Sequence, residues 1–207
     1  EHGLNVFLFS DNVPLESEIS LKEYARERGL IVMGPDCGTA IVGGKGIGFA
    51  NSVRRGPIGV IGASGTGIQE LTFLVHRAGS GISHALGIGS RDLSDAVGGI
   101  SFLSALDALE SDKQTKIIAI LSKPPGQLAL SNLIPRILQC HKPIVVCFLG
   151  PKQDSPHANF HSRTARTLED AAALALQIVT GNLLPRFNAD SPRIQTLIQR
   201  ERASKNP

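Results

Sequence analysis

The stretch that decides the fold is Pro57-Ile-Gly-Val-Ile-Gly-Ala-Ser-Gly-Thr-Gly-Ile-Gln-Glu-Leu-Thr-Phe-Leu-Val-His76. It begins with a short apolar run, passes through glycines and small hydroxyl residues, and ends with apolar residues at roughly helical spacing. This order predicts a strand, then a tight turn, then a helix.

The turn in this stretch has the composition of an anion-binding site. Glycines let the backbone approach a ligand closely, and the first N–H groups of a helix, with the positive end of its dipole, attract an anion. We therefore predict that Ser64, Gly65, Thr66 and Gly67 bind a phosphate. The alternative is that any strand-to-helix crossover needs small residues at its turn. The spacing matches neither the P-loop nor the G-x-G-x-x-G nucleotide fingerprint.

Length and composition favour a soluble α/β protein. The chain has 207 residues, of which 42% are hydrophobic, 19% are charged and 22 are glycine, as expected for buried strands joined by tight turns. The net charge is only +3 and most basic residues are scattered, which argues against nucleic acid as a partner. The three cysteines lack C-x-x-C spacing, and the chain has no signal-peptide pattern and no apolar run of membrane-spanning length. These features predict a cytoplasmic protein without membrane contact.

The first 56 residues predict part of a domain. Apolar runs at 4–9 and 30–33 are predicted strands, and an amphipathic helix is predicted over 15–28 between them. A glycine-rich loop then leads to Arg54-Arg55-Gly56-Pro57, which we interpret as a domain boundary. Because the chain starts at Glu1 within an apparent helix end, we expect it to be a piece of a longer protein.

From residue 57 onward, strands and helices alternate regularly. The predicted strands are 58–62, 82–87, 116–121 and 143–149, and the predicted helices are 66–78, 95–110, 127–140 and 168–180. The strands are almost continuously apolar, which indicates burial on both faces of a doubly wound parallel sheet. Residues 182–207 fall outside this pattern, and we interpret them as a linker or the start of a missing domain.

Four ordered motifs carry a family resemblance. They are Gly34-Pro-Asp-Cys37, Ser64-Gly-Thr66 with Glu70, Gly87-Ile-Gly89 with Asp92, and Asp112-Lys-Gln-Thr115. Together they resemble the α subunit of succinyl-CoA synthetase and, more broadly, the NDP-forming acyl-CoA synthetase superfamily, with the closest likeness to its FdrA-like branch. The resemblance covers roughly residues 1–180.

The resemblance implies a fold and a reaction. Residues 1–56 would be the C-terminal part of a Rossmann-like CoA-binding domain, and residues 57–181 a flavodoxin-like CoA-ligase domain. In the family, phosphate attacks an acyl-CoA, and the acyl phosphate passes its phosphoryl group to a histidine and then to a nucleoside diphosphate. The implied cofactors are CoA, phosphate, and a nucleotide with Mg²⁺ that is held only on an ATP-grasp partner. The implied partners are that ATP-grasp β-type subunit or domain and an N-terminal Rossmann half; a homo-oligomer is also open.

The resemblance also implies roles for single residues. Phe9, Ser10 and Asp11 match a turn that touches CoA, and Ser64-Gly65-Thr66 match the helix start that holds the phosphate of the phosphohistidine. Two positions depart from the family pattern, since Asp36 replaces an asparagine and Gln69 a tyrosine. The family's histidine loop corresponds here to residues 150–161. This loop is shorter than the family's, and His157-Ala158 lacks the flanking glycines. His157 is the candidate phosphoryl carrier, with a merely solvated side chain as the alternative and His161 as the weaker candidate.

The remaining candidates each have a structural alternative. Cys37 is a candidate CoA contact or an inert buried thiol. Glu70 is a candidate catalytic residue or a first-turn carboxylate that complements the helix dipole. Asp92 is interpreted as the cap of the following helix. His76, His84 and His141 are interpreted as structural or surface residues, and no metal site is predicted.

Two functions from different classes stay open at this point. The first is a component of an NDP-forming acyl-CoA synthetase that catalyses acyl-CoA + phosphate + NDP = acid + CoA + NTP. The alternative is a non-catalytic module that binds CoA or an acyl phosphate and acts through partners, without a phosphohistidine.

Overall fold

The structure is a computed structural model that describes residues 2–150, 163–181 and 192–204. The strands are β1 (Val6–Phe7), β2 (Val32–Met33), β3 (Thr39–Val42), β4 (Lys45–Gly48), β5 (Arg55–Gly62), β6 (Ile82–Gly87), β7 (Ile117–Ser122), β8 (Ile144–Phe148) and β9 (Arg163–Ala165). The helices are α1 (Leu15–Arg26), α2 (Gly65–Arg77), α3 (Ile100–Ser111), α4 (Gln127–Gln139), α5 (Leu168–Thr180) and α6 (Pro192–Ser204).

A seven-stranded sheet forms the centre of the molecule. Its strand order is β4-β3-β6-β5-β7-β8-β9. The five adjacent strands β6, β5, β7, β8 and β9 run parallel. Numbered from β5, these five strands have the order 2-1-3-4-5, which is that of flavodoxin-like doubly wound folds. The predicted α/β class and mostly parallel sheet are confirmed.

Apolar side chains of the sheet face helices on both sides. Ile58 and Val60 of β5 pack in one buried cluster with residues of α2 and α5. Ile61 points to the opposite face, where it packs in a second cluster with residues of α3 and α4. Because successive residues of a strand point to opposite faces, burial on both sides requires the continuous apolar runs seen in the sequence.

Residues 39–48 form a hairpin that the sequence analysis treated as a loop. β3 pairs antiparallel with β4, and Ile41 of β3 pairs with Ala85 of β6 at the edge of the large sheet. These residues precede the predicted domain boundary at 56 but belong to the sheet of the second predicted domain. β1 and β2 form a separate two-stranded parallel sheet. The division at residue 56 stays a prediction.

Helix α3 begins at Ile100, so the predicted start at residue 95 is wrong. Gly98 and Gly99 have φ angles of +72° and +81°, and a right-handed helix cannot continue through such conformations. The segment between β6 and α3 is therefore a long loop. Helix α6 lies within the stretch 182–207 that falls outside the repeating pattern.

Glu110 joins α3 to the end of α4 through ionic contacts. It pairs with Arg136, and its Oε1 accepts hydrogen bonds from the backbone N–H and the ring Nδ1 of His141 at 2.7 and 2.8 Å. Burial alone would raise the pKa of Glu110, but these donors lower it from 4.5 to about 2. A carboxylate with a depressed folded-state pKa stabilises the fold above its unfolded pKa and loses that effect as the pH falls.

We expect Glu110→Gln to lower the free energy of unfolding at pH 7 by about 1–2 kcal/mol, allowing for solvent screening of a partly exposed pair. The deficit should shrink as the pH falls from 4.5 toward 2, because wild-type Glu110 becomes protonated there. Urea unfolding across this pH range measures it. The control is Glu27→Gln, which removes an exposed pair with Arg28 and should cost little at any pH. A pH-independent deficit for Glu110→Gln would contradict the prediction.

Candidate functional site

The predicted anion turn lies at the carboxyl end of β5 and begins α2. Ser64 is the N-cap residue, with an extended backbone (φ −126°, ψ 115°), and its Oγ accepts a hydrogen bond from the Gly67 N–H at 3.2 Å. The Thr66 hydroxyl lies 3.4 Å from that Oγ and is exposed. The first N–H groups of a helix have no partner within the helix. The predicted strand, turn and helix are thus confirmed, and the phosphate role of Ser64, Gly65, Thr66 and Gly67 stays a prediction.

Three of the four resemblance motifs meet at one small cavity beside this turn. Its wall is formed by the β5–α2 stretch and by two loops, the one that precedes β3 and the one that follows β6. The lining residues are Asp36, Cys37, Gly38, Thr39, Gly62, Ala63, Gly65, Ile68, Gly87 and Gly89. The end of β5 lies beside the end of β6 in the sheet, at the edge where parallel α/β sheets bind ligands.

Glycines in this wall are required by close approach of the backbone. A Cβ on Gly87 would overlap the Cys37 Sγ and would lie 2.7 Å from the Thr39 carbonyl oxygen. Gly89 has a φ of +86°, and a Cβ there would overlap the carbonyl oxygen of Pro35. The two loops therefore contact each other directly, with no space for a side chain at these points.

Cys37 lies in the cavity wall as a protonated thiol. It is buried, and its Sγ donates to the Thr39 carbonyl oxygen at 3.6 Å. Burial raises its pKa to about 11, so that the thiolate is scarce at neutral pH and the residue is a poor nucleophile. A packing contact with a ligand is compatible with this position, and the predicted CoA role stays a prediction.

Phe9, Ser10 and Asp11 form an exposed segment that reaches the same loop. The ring of Phe9 packs edge-on against Phe49, with 5.4 Å between the ring centroids. The carbonyl oxygen of Ser10 accepts a hydrogen bond from the Asp36 N–H at 2.9 Å, which connects the segment to the cavity wall. Asp11 accepts a hydrogen bond from its neighbour Asn12 at 2.8 Å. Their CoA contact stays a prediction.

Glu70 lies further along α2 than the sequence analysis assumed. Because α2 begins at Gly65, Glu70 is in the second turn and is exposed. The interpretation that it complements the dipole from the first turn is wrong, and its catalytic role stays a prediction. The neighbouring Gln69, one of the departures from the family pattern, donates to the Phe49 carbonyl oxygen at 2.6 Å.

Asp92 caps α3, as the sequence analysis predicted. The buried carboxylate accepts hydrogen bonds from the N–H groups of Ser101 and Phe102 at 3.0 and 2.9 Å. Burial raises its pKa, and the Lys22 ammonium and these two N–H groups oppose that shift. Lys22 donates to the Asp92 carboxylate at 2.7 Å. No pattern in the sequence indicates this pair, because Lys22 is one of several charged residues on an amphipathic helix.

Five of the six histidines fall into two groups. His157 and His161 lie outside the described residues. His76 and His84 accept backbone N–H groups of Arg54 and Gly43 through Nδ1 at 3.0 and 3.2 Å, and burial lowers the pKa of His84. Together with the contact of His141 with Glu110, this agrees with structural roles for these three. Within residues 2–150, 163–181 and 192–204, no group of three His, Cys, Asp or Glu residues could hold a metal ion.

Comparison with known proteins shows what the chain is similar to. Residues 53–148, which include the Ser64 turn, match the CoA-binding domain family. The chain is 28% identical over 148 residues to the α subunit of an ADP-forming succinate–CoA ligase from Methanothermobacter thermautotrophicus, covering 70% of this chain and 49% of that one. The chain is a homologue of succinyl-CoA synthetase α subunits.

Two further comparisons concern a second sequence relative and the fold. The chain is 48% identical over 178 residues to YahF of Escherichia coli K12, described as an uncharacterized protein, covering 86% of this chain and 34% of YahF. Its fold matches a dinucleotide-forming acetyl-coenzyme A synthetase from Candidatus Korarchaeum cryptofilum with a TM-score of 0.62 at 21% identity, covering 84% of this chain and 43% of that one. The chain thus spans half or less of each of these proteins. Placement in the FdrA-like branch stays a prediction.

None of the helices in the described part of the chain is both long enough and apolar enough to cross a membrane.

Proposed function

We propose that this chain is the α-type component of an NDP-forming acyl-CoA ligase, in which the Ser64–Gly67 turn binds the phosphate or phosphoryl group. The observation that carries the proposal is the Ser64-capped start of α2 on the wall of a cavity shared with Cys37 and the Gly87–Gly89 loop. Homology to succinate–CoA ligase α subunits supports it.

The chemistry of the turn suits the proposed reaction. Phosphate would attack the thioester carbonyl of an acyl-CoA, which breaks the C–S bond, releases CoA and forms an acyl phosphate. The phosphoryl group would then move to an imidazole nitrogen of His157, with the carboxylate leaving, and finally to a nucleoside diphosphate. Each step carries a phosphoryl dianion, which needs oriented N–H donors and a positive dipole end such as those at the start of α2.

The other parts of the reaction would lie on further residues and on a partner. CoA would contact Phe9, Ser10, Asp11 and Cys37, near the cavity. The nucleotide and its Mg²⁺ would be bound by an ATP-grasp subunit or domain. An N-terminal Rossmann half would complete the CoA site, and the protein would act in the cytoplasm.

The proposal is tested by calorimetric titration of the chain with inorganic phosphate. We expect Ser64→Ala/Thr66→Ala to weaken phosphate binding at least tenfold, because the variant loses two hydroxyl groups and the fixed geometry of the helix start. Loss of the cap should also cost about 1 kcal/mol of stability. A separate titration with CoA reports whether the CoA site is already formed in this chain.

Thr167→Ala is the matched control. Thr167 caps α5 in the same way, with its Oγ1 accepting from the Asp170 N–H at 3.1 Å. Thr167→Ala should therefore lower the free energy of unfolding by a similar amount and leave phosphate affinity unchanged. A folded wild-type chain that binds no phosphate, or equal loss in both variants, would contradict the proposed anion turn.

A further inference from the structure

We propose that four charged residues, Glu18, Lys22, Arg91 and Asp92, form a positioning cluster that fixes the Gly87–Asp92 loop against the anion turn. The inference rests on the proposed function, because the loop forms part of the cavity wall beside that turn. None of the four residues lines the cavity. They would act through the backbone of the loop.

Lys22 is the centre of this cluster. Its side chain is 0% exposed, and its Nζ donates to Glu18 Oε1 at 2.8 Å, to Asp92 Oδ1 at 2.7 Å and to the Ile88 carbonyl oxygen at 3.2 Å. Ile88 lies between Gly87, the last residue of β6, and Gly89, and both glycines are in the cavity wall. The Ile88 N–H donates to the Gly62 carbonyl oxygen at 3.0 Å. The peptide groups around Ile88 are therefore held from the sheet on one side and from α1 on the other.

Arg91 attaches the same loop at a second point. Its guanidinium pairs with Glu18 Oε2 at 2.8 Å and donates to the Val13 carbonyl oxygen at 2.6 Å. The cluster then contains two cations and two carboxylates, so that its net charge is zero. Asp92, at the end of the loop, also caps α3 through Ser101 and Phe102.

This arrangement is costly if stability is its only role. Buried ion pairs lose their hydration, and apolar residues of similar volume often stabilise a fold as well or better. What such a cluster provides is a single geometry, because each charge requires its partners at short distance. Here Lys22 and Arg91 connect α1 and the segment before it to the first part of the long loop between β6 and α3. The glycines at the start of this stretch, Gly87 and Gly89, already lie against Cys37 and Pro35. Helix α1 thereby positions the cavity wall without lining the cavity itself.

The test combines phosphate titration with amide hydrogen exchange. In Glu18→Gln/Lys22→Met/Asp92→Asn the charges are removed at nearly constant volume. We expect phosphate affinity to fall at least tenfold and exchange at residues 88–92 to speed up at least tenfold. Exchange within β5 and β7 should be unchanged. Arg91→Met, at a side chain 42% exposed, should fold readily and give a smaller change of the same kind, which keeps the test valid if the triple variant is unstable.

Arg136→Met is the matched control, because it removes the ionic contacts with Asp107 and Glu110 between α3 and α4 without touching the loop. It should change stability but neither affinity nor exchange at residues 88–92. Unchanged affinity in both cluster variants, or reduced affinity without faster exchange in the loop, overturns the proposal. If wild type binds no phosphate, the proposed function fails separately. The exchange data then decide the positioning role, with unchanged exchange overturning it and faster exchange supporting it.

Discussion

Gly89→Ala is expected to lower the free energy of unfolding by about 3 kcal/mol or more. The left-handed backbone conformation at φ +86° costs an alanine about 1–2 kcal/mol. The new Cβ would also overlap the carbonyl oxygen of Pro35. Because that neighbour is backbone in a buried loop, the two loops must separate, and packing around Met33 and Cys37 is lost with them.

Gly79→Ala measures the conformational cost alone, so that the difference between the two variants gives the steric part. Gly79 has a nearly identical φ of +88°, but no heavy atom lies within 4 Å of its virtual Cβ. It should therefore pay only the conformational cost of about 1–2 kcal/mol. Urea unfolding followed by circular dichroism gives both values. Equal losses in the two variants would mean that the loops separate at no cost and that the close approach has no energetic role.

Gly89→Ala also reports on the candidate site. Separation of the loops displaces Gly87 and Gly89 from the cavity wall beside Gly65. Gly89→Ala should accordingly weaken phosphate binding under conditions where it is still folded, whereas Gly79→Ala should not. Low temperature and short titrations keep the folded fraction high enough to separate this effect from unfolding.

The parallel sheet could be predicted from the sequence because its signal is local. Runs such as Ile117–Leu121 and 144–149 are buried on both faces, so that each strand is apolar throughout. The Ser64 turn was equally readable, since a hydroxyl N-cap with glycines between a strand and a helix has a direct physical cause. Both features depend on residues within about ten positions of one another.

Features that depend on distant partners could not be read in this way. The hairpin at 39–48 has four exposed residues in β4 and several glycines, which favour a loop when judged alone. Its strand character comes from pairing at Ile41 with Ala85. Likewise, no property of Lys22 in the sequence shows that it is buried, because its partner Asp92 lies 70 positions away.

The candidate site combines local features with features that depend on distant partners. Each of the three motifs around the cavity is a separate stretch of the sequence, and their meeting depends on β6 lying beside β5 in the sheet. The order of strands is a property of the whole domain and leaves no local mark.

His157→Ala is expected to abolish phosphoenzyme formation completely. The reason is chemical, because an imidazole nitrogen is the proposed acceptor of the phosphoryl group and an alanine methyl group cannot accept it. The experiment incubates the chain with radiolabelled phosphate and succinyl-CoA, the thioester of the acid named for the ligase relatives. The product is scored as protein-bound label that is stable to base and labile to acid.

His161→Ala is the control for this experiment, since it removes a histidine from the same segment and should retain the label. Phosphate affinity should be unchanged in His157→Ala, because the anion turn at Ser64–Gly67 is intact. Label that persists in His157→Ala would remove this residue from the mechanism. Binding of both phosphate and CoA by wild type without any label would instead favour the non-catalytic binding module. Because binding and transfer are measured on the same two variants, the anion turn and the phosphoryl carrier can fail independently.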